Sequence, residues 1–130
     1  MKFSLFITGS PTSTKACHSA LDFALALMRG GDHSLAGVFF YEDATYIANQ
    51  FAMPPRDECH IGQEWADFAT QYEIPLYVCI AAAIRRGIVN DSEAKRYELD
   101  TSNLAKPYQL EGLGTLISLS SESDRIVRFR

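Results

Sequence analysis

The sequence has 130 residues, 47% of them apolar, with 12 Lys and Arg against 16 Asp and Glu, giving a formal net charge of −4. That length suits one domain over residues 1–130 with a proper core, and the acidic balance, without any block of like charge, argues against a basic face for nucleic acid. No run approaches the roughly 20 apolar residues that cross a bilayer, and three cysteines are an odd number that excludes a complete internal disulfide framework.

Lys2–Thr8 (KFSLFIT) is apolar at nearly every position, the pattern of a central strand covered on both faces. Gly9–Ser10–Pro11 stops this run too early for the apolar region of a secretory leader, so the reading expects a reducing cytoplasm and free thiols. Gly9–Thr14 is a loop of turn residues, with Ser13 or Thr14 placed to cap the next helix. Ala16–Arg29 has apolar residues at 16, 20, 23, 24, 27 and 28, which is helical spacing, and Gly30–Gly31 ends it. Ser34–Tyr41 reads as a second strand and roughly Ala44–Phe51 as a helical segment opened by Glu42–Asp43.

Met53–Asp57 breaks the chain at two prolines. Ile61–Gln71 is helical, with Ile61, Trp65 and Phe68 on one face. Glu73–Pro75 turns into a third strand, Leu76–Val78. Asn90–Glu93 can cap a short helix through Leu99, and Asp100–Pro107 is loop. A short strand near Tyr108–Leu110, a helix over Gly112–Leu119, a turn at Ser120–Asp124 and a closing strand Ile126–Phe129 complete the chain. Strands alternating with helices predict a three-layer α/β domain of flavodoxin-like type with a mostly parallel sheet.

The stretch Leu76–Gly87 carries the candidate chemistry. Cys79 falls where an apolar strand gives way to Ala81–Ala83, strong helix formers. Arg85, Arg86 and Gly87 then read as a helix stop. The carboxyl ends of strands gather ligands in open α/β sheets, and a helix N-terminus favours thiolate over thiol. The residues alone leave Cys79 open between a small buried hydrophobe and an accessible nucleophile. Arg85 and Arg86 lie too far along the helix to contact the sulfur, leaving them the helix C-terminus, a partner's carboxylates or solvent.

Two other features invite chemistry. Cys17–His18 and Cys59–His60 suggest a metal, but no paired ligand spacing is present, and adjacent residues diverge on helix or strand. The hydroxyl-rich loop Thr8–Thr14 sits where a phosphate or flavin would bind, yet lacks both glycine-rich phosphate fingerprints. Its other reading is an ordinary turn with a helix cap. No serine-hydrolase elbow and no acid–base carboxylate pair stand out.

Several pieces, in order, match a known pattern: Val38–Tyr41, Ala48–Gln50, Val78–Cys79 through Arg85–Arg86–Gly87, Ser102–Leu104, Leu110–Gly114 and Asp124–Phe129. With them the chain resembles the TusD/DsrE family of sulfurtransferase subunits over nearly its whole length. The resemblance implies a parallel α/β sandwich in which Cys79 accepts sulfane sulfur as a persulfide, with no metal or organic cofactor. It implies TusC-like and TusB-like paralogues in a heterohexamer, a TusA-like donor and a TusE/DsrC-like acceptor. It further implies a cytoplasmic role in 2-thiouridine formation at the tRNA wobble position, or, in the Dsr branch, in oxidation of stored sulfur. A non-catalytic paralogue of such a complex is a further alternative. Ala44, after Asp43, stands where many relatives have glycine, and Cys17 and Cys59 match no motif of the family.

Overall fold

The computed structural model describes residues 1–130. Five strands form one sheet: β1 (Lys2–Ile7), β2 (Ser34–Phe40), β3 (Leu76–Cys79), β4 (Gln109–Glu111) and β5 (Arg125–Phe129). Their order is β4-β3-β2-β1-β5, and every neighbouring pair is parallel. The α/β class with a parallel sheet is therefore the one expected. Five α-helices join the strands, α1 (Ala16–Gly30), α2 (Ile61–Tyr72), α3 (Ile80–Arg85), α4 (Asp91–Arg96) and α5 (Leu113–Glu122), with one 3-10 helix between β2 and α2. No helix is long and apolar enough to cross a membrane.

Alternation along the strands divides the core between two faces. Leu5, Ile7, Val38, Phe40, Leu76 and Val78 point to one side, with Ala20 and Ala24 of α1 and Trp65, Phe68 and Ala69 of α2. Each large side chain buried here contributes about 1.5–3 kcal/mol. β2 carries one extra residue opposite β1, since Phe3 pairs with Leu35 but Ser4 with Gly37. That bulge lets Leu35 and Val38 both reach the larger core.

The opposite face is thinner. Phe39, Cys79, Ala82 and Leu119 form a small cluster there, with Phe6, Tyr41, Tyr77 and Leu116 at its rim. α5 is its main cover, and it carries the chain from β4 at one sheet edge to β5 at the other. Gly37 permits this close approach, because a Cβ on it would lie 3.1 Å from Leu119 Cδ2 and 3.3 Å from Tyr77 Cε2. Ile117 on the outer side of α5 and Ile126 on β5 remain exposed.

Several element boundaries differ from the sequence reading. Glu42–Ala48 forms a 3-10 helix and stops at Asn49, which is extended. Thr45 Oγ1 donates to the Glu42 carbonyl at 2.8 Å, favouring this tighter local winding. α4 ends at Arg96 because Glu98 adopts a left-handed φ of 57°. α5 runs on through Ser120 and Ser121 to Glu122, where a turn was expected. Ser118 and Ser121 donate to the carbonyls of Gly114 and Ile117, so these serines sit in a helix without unsatisfied hydroxyls.

Candidate functional site

Cys79 is the last residue of β3 and the N-cap of α3, as the strand-to-helix reading expects. It points to the thin face, between Phe39 on β2 and Ala82 on α3, beneath Leu119 of α5. Only 2% of the residue is exposed. Its register partner on β4 is Glu111, whose carboxylate accepts from Thr115 Oγ1 at 3.4 Å. The side chain makes no capping bond to the amides of α3. The three alanines divide between tasks: Ala81 is exposed, Ala82 packs in the cysteine's cluster and Ala83 in the larger core. They draw α3 down onto the sheet, and Cys79 is closed off in the isolated chain.

Arg86 follows α3 and closes its last turn. Its Nε donates to Asp43 Oδ1 at 2.9 Å, its Nη1 to the Ala82 carbonyl at 3.1 Å, and its Nη2 lies 3.5 Å from Glu42 Oε2. Of the roles left open for it, the structure shows the bond to a helix carbonyl, and it adds an ion pair within the chain that the sequence reading does not include. Glu42 has a φ of 53°, which costs a residue other than glycine about 1–2 kcal/mol. The unusual conformation thus falls on Glu42, while Ala44 is fully buried in the core. Arg85 is exposed. In sequence Glu42 and Asp43 mark a helix start, and nothing in their spacing signals a partner some 43 residues away.

The other two cysteines occupy different surroundings. Cys17 on α1 is fully buried and its Sγ donates to the Gly9 carbonyl at 3.6 Å. Burial pushes its thiol up to about 12. His18, next in sequence, points the other way, so the pair diverges as helical geometry demands. Its Nε2 meets Cys59 Sγ at 3.5 Å, a pairing across 41 residues that sequence does not reveal. Cys59 is exposed. Desolvation and then the Glu64 carboxylate push its thiol above the ordinary range, against a smaller pull from Lys15. His60 instead caps α2, its Nδ1 accepting from the Gln63 amide at 3.2 Å. No three His, Cys, Asp or Glu side chains converge as a metal site would require.

His18 and Cys59 line a cleft of about 1000 Å³ beside the Ser10–Thr14 loop. That loop folds upon itself. Ser10 Oγ accepts from the amides of Thr12 and Ser13, the Ser10 carbonyl from the Thr14 amide, and Thr14 Oγ1 from Ala16. The amides of Thr12, Ser13, Thr14 and Ala16 are thereby occupied within the loop, and the cap position of α1 falls on Lys15, which makes no side-chain cap bond, in place of the expected Ser13 or Thr14. The loop behaves as an ordinary strand-to-helix turn.

Comparison with known proteins agrees with this architecture. The DsrE/DsrF-like family profile matches residues 1–129. The chain is 42% identical over 129 residues to a protein named sulfurtransferase TusD from Salmonella dublin, covering 99% of this chain and 100% of that one. It is 41% identical, with the same coverage, to a sulfurtransferase TusD from Cronobacter sakazakii. The crystal structure of the ychN protein from E. coli superposes with a TM-score of 0.78 over 99% of both chains at 19% identity, which shows a shared fold. With a family profile spanning the chain and relatives aligned from end to end, this protein belongs to the DsrE/DsrF-like family.

Proposed function

We propose that this chain is a sulfurtransferase subunit of a sulfur relay, with Cys79 carrying sulfane sulfur as a persulfide. The observation that carries the reading is the full-length similarity to proteins named sulfurtransferase TusD. The placement of Cys79 supports it: the cysteine closes a parallel strand at the end of the sheet where reacting groups gather. Cys17 is a poor competitor, since a buried thiol pushed up to about 12 holds almost no thiolate at neutral pH.

The chemistry is a thiol exchange with one additional sulfur. The Cys79 thiolate attacks the outer sulfur of a donor persulfide, a new S–S bond forms at Cys79, and the donor's S–S bond breaks. The donor leaves as a thiolate and takes up a proton. An acceptor thiolate then attacks the outer sulfur on Cys79 and regenerates its thiolate. No net electrons enter or leave, so no organic cofactor or metal is needed.

In this reading the donor is a TusA-like carrier and the acceptor a TusE/DsrC-like protein. TusC-like and TusB-like subunits complete a heterohexamer, and the sulfur ends in 2-thiouridine at the tRNA wobble position, in the cytoplasm. The TusD names of the relatives favour this destination over dissimilatory sulfur oxidation. The test is to incubate the protein with a persulfidated TusA-like carrier and weigh it intact. Wild type gains one sulfur atom and Cys79→Ser gains none. Equal gain by both, or none by wild type, overturns the assignment, and the second outcome would leave the chain a non-catalytic paralogue.

A further inference from the structure

A residue 2% exposed cannot meet the sulfur of another protein's persulfide, so the cover over Cys79 has to move. Part of that cover is Ala82, on α3. α3 is six residues long and runs between two independently held ends. Before it, β3 is paired in the sheet on both sides. After it, Asn103 Nδ2 donates to the Gly87 carbonyl at 2.9 Å while Asn103 Oδ1 accepts from the Val89 amide at 2.9 Å. Gly87 itself has a φ of 78°, with open space around the position of a Cβ, so it offers a natural pivot.

Between those ends, the side-chain polar ties from this segment to the Glu42–Ala48 helix all come from Arg86. The guanidinium is mostly covered, with 16% of the side chain exposed, and it joins the Ala82 carbonyl to Asp43 and Glu42 at once. The two carboxylates are more than half exposed, at 54% and 58%, so solvent and salt reach the pair from their side. The arrangement is a clasp: apolar packing sets α3 on the sheet, and one arginine holds the segment closed through a bond that water can compete for.

We propose that Arg86 is a positioning residue that latches α3 over Cys79, and that release of its ties to Glu42 and Asp43 opens the thiol for sulfur exchange. The proposal rests on Cys79 being the sulfur-carrying residue, but its test does not depend on transfer. Cys59 is first replaced by Ser, leaving two cysteines in different settings. The protein is then treated with iodoacetamide, and modification at Cys79 and Cys17 is followed separately by peptide mass spectrometry. Cys17 reports global unfolding, because it is fully buried in the larger core.

In Arg86→Met the modification of Cys79 accelerates roughly tenfold while Cys17 stays unmodified on the same timescale. The double change Glu42→Gln with Asp43→Asn gives the same acceleration, and it decides the question if Arg86→Met does not fold. Adding NaCl to about 0.5 M speeds Cys79 modification in the Cys59→Ser protein and leaves the rate in Arg86→Met unchanged. Unchanged Cys79 rates in the acid variant, or parallel acceleration at Cys17, overturn the latch. Persulfide loading from the carrier is measured on the same proteins. Faster alkylation with no loading removes the sulfur-relay assignment and leaves the latch standing. Normal loading with unchanged alkylation removes the latch and leaves the relay standing.

Discussion

The Trp65 indole N–H donates to the backbone carbonyl of Cys17 at 3.0 Å, in a fully buried contact that ties α2 to α1 across the larger core. Trp65 also packs edge-on against Phe40 at 5.7 Å and Phe68 at 5.4 Å between ring centroids. Trp65→Phe removes the donor and leaves a void where the larger ring was. Loss of about 1–3 kcal/mol of stability is expected from the missing bond and the packing defect. Urea denaturation checks it, and a change under about 0.5 kcal/mol would show that the core refills the space.

Cys17 predicts a specific alkaline weakness. Its folded thiol is raised from 9.0 to about 12, so the folded state holds this proton more tightly than the unfolded state. The resulting stability is fully present below about pH 9, declines as pH rises above it and is gone past about pH 12. The slope is about 1.4 kcal/mol per pH unit while the unfolded thiol is ionised and the folded one is not. Tyr108, raised by its own burial and by the Cys17 charge, adds a second decline above 10. Cys17→Ala flattens the curve between about pH 9 and 10 without removing the decline beyond. Urea midpoints measured at steps of pH provide the comparison.

The three thiols should separate by reactivity in the native protein. With a disulfide reagent such as dithiobis(nitrobenzoate), Cys59 reacts first because it is the exposed one. Its rate goes on climbing into more alkaline solution than that of an ordinary thiol, since the thiolate is the reacting form and the thiol is raised. Cys79 follows slowly and Cys17 reacts only on unfolding. A Cys59→Ser protein that keeps the fast phase would refute this order.

Leu119 offers a way to thin the cover on Cys79 from the opposite side. It is 3% exposed and lies on α5 above the cysteine's cluster. Leu119→Ala is expected to cost about 2–4 kcal/mol by leaving a void against Phe39 and Gly37. Cys79 alkylation should rise relative to Cys17, because the void lies on the thin face and not in the larger core. Thermal denaturation and site-resolved alkylation together test both halves.

The parts of this fold visible in sequence are those set by local pattern. The strand Lys2–Ile7, the helix opening at Ala16 and the switch at Cys79 all follow from periodicity and turn residues close by. The tight 3-10 winding at Glu42–Ala48 and the extension of α5 through its serines depend on individual hydrogen bonds, which periodicity does not encode. The site divides the same way. Cys79 was legible because a strand, a cysteine and an alanine run are consecutive. Arg86 with Asp43, and His18 with Cys59, are contacts across more than 40 residues that exist only once the sheet order is set. The burial of Cys79 likewise comes from α5, whose Leu119 lies 40 residues beyond it and reaches the cysteine only by crossing the sheet.

β1 sits between β2 and β5, and its partner on the β5 side is the stretch of residues 125–129. During synthesis, then, one edge of β1 stays unpaired until those residues emerge from the ribosome. A chain halted short of them would present open backbone donors and acceptors beside Leu5 and Ile7, a template for intermolecular pairing. Closure of the sheet on the β1 side thereby waits on residues 125–129.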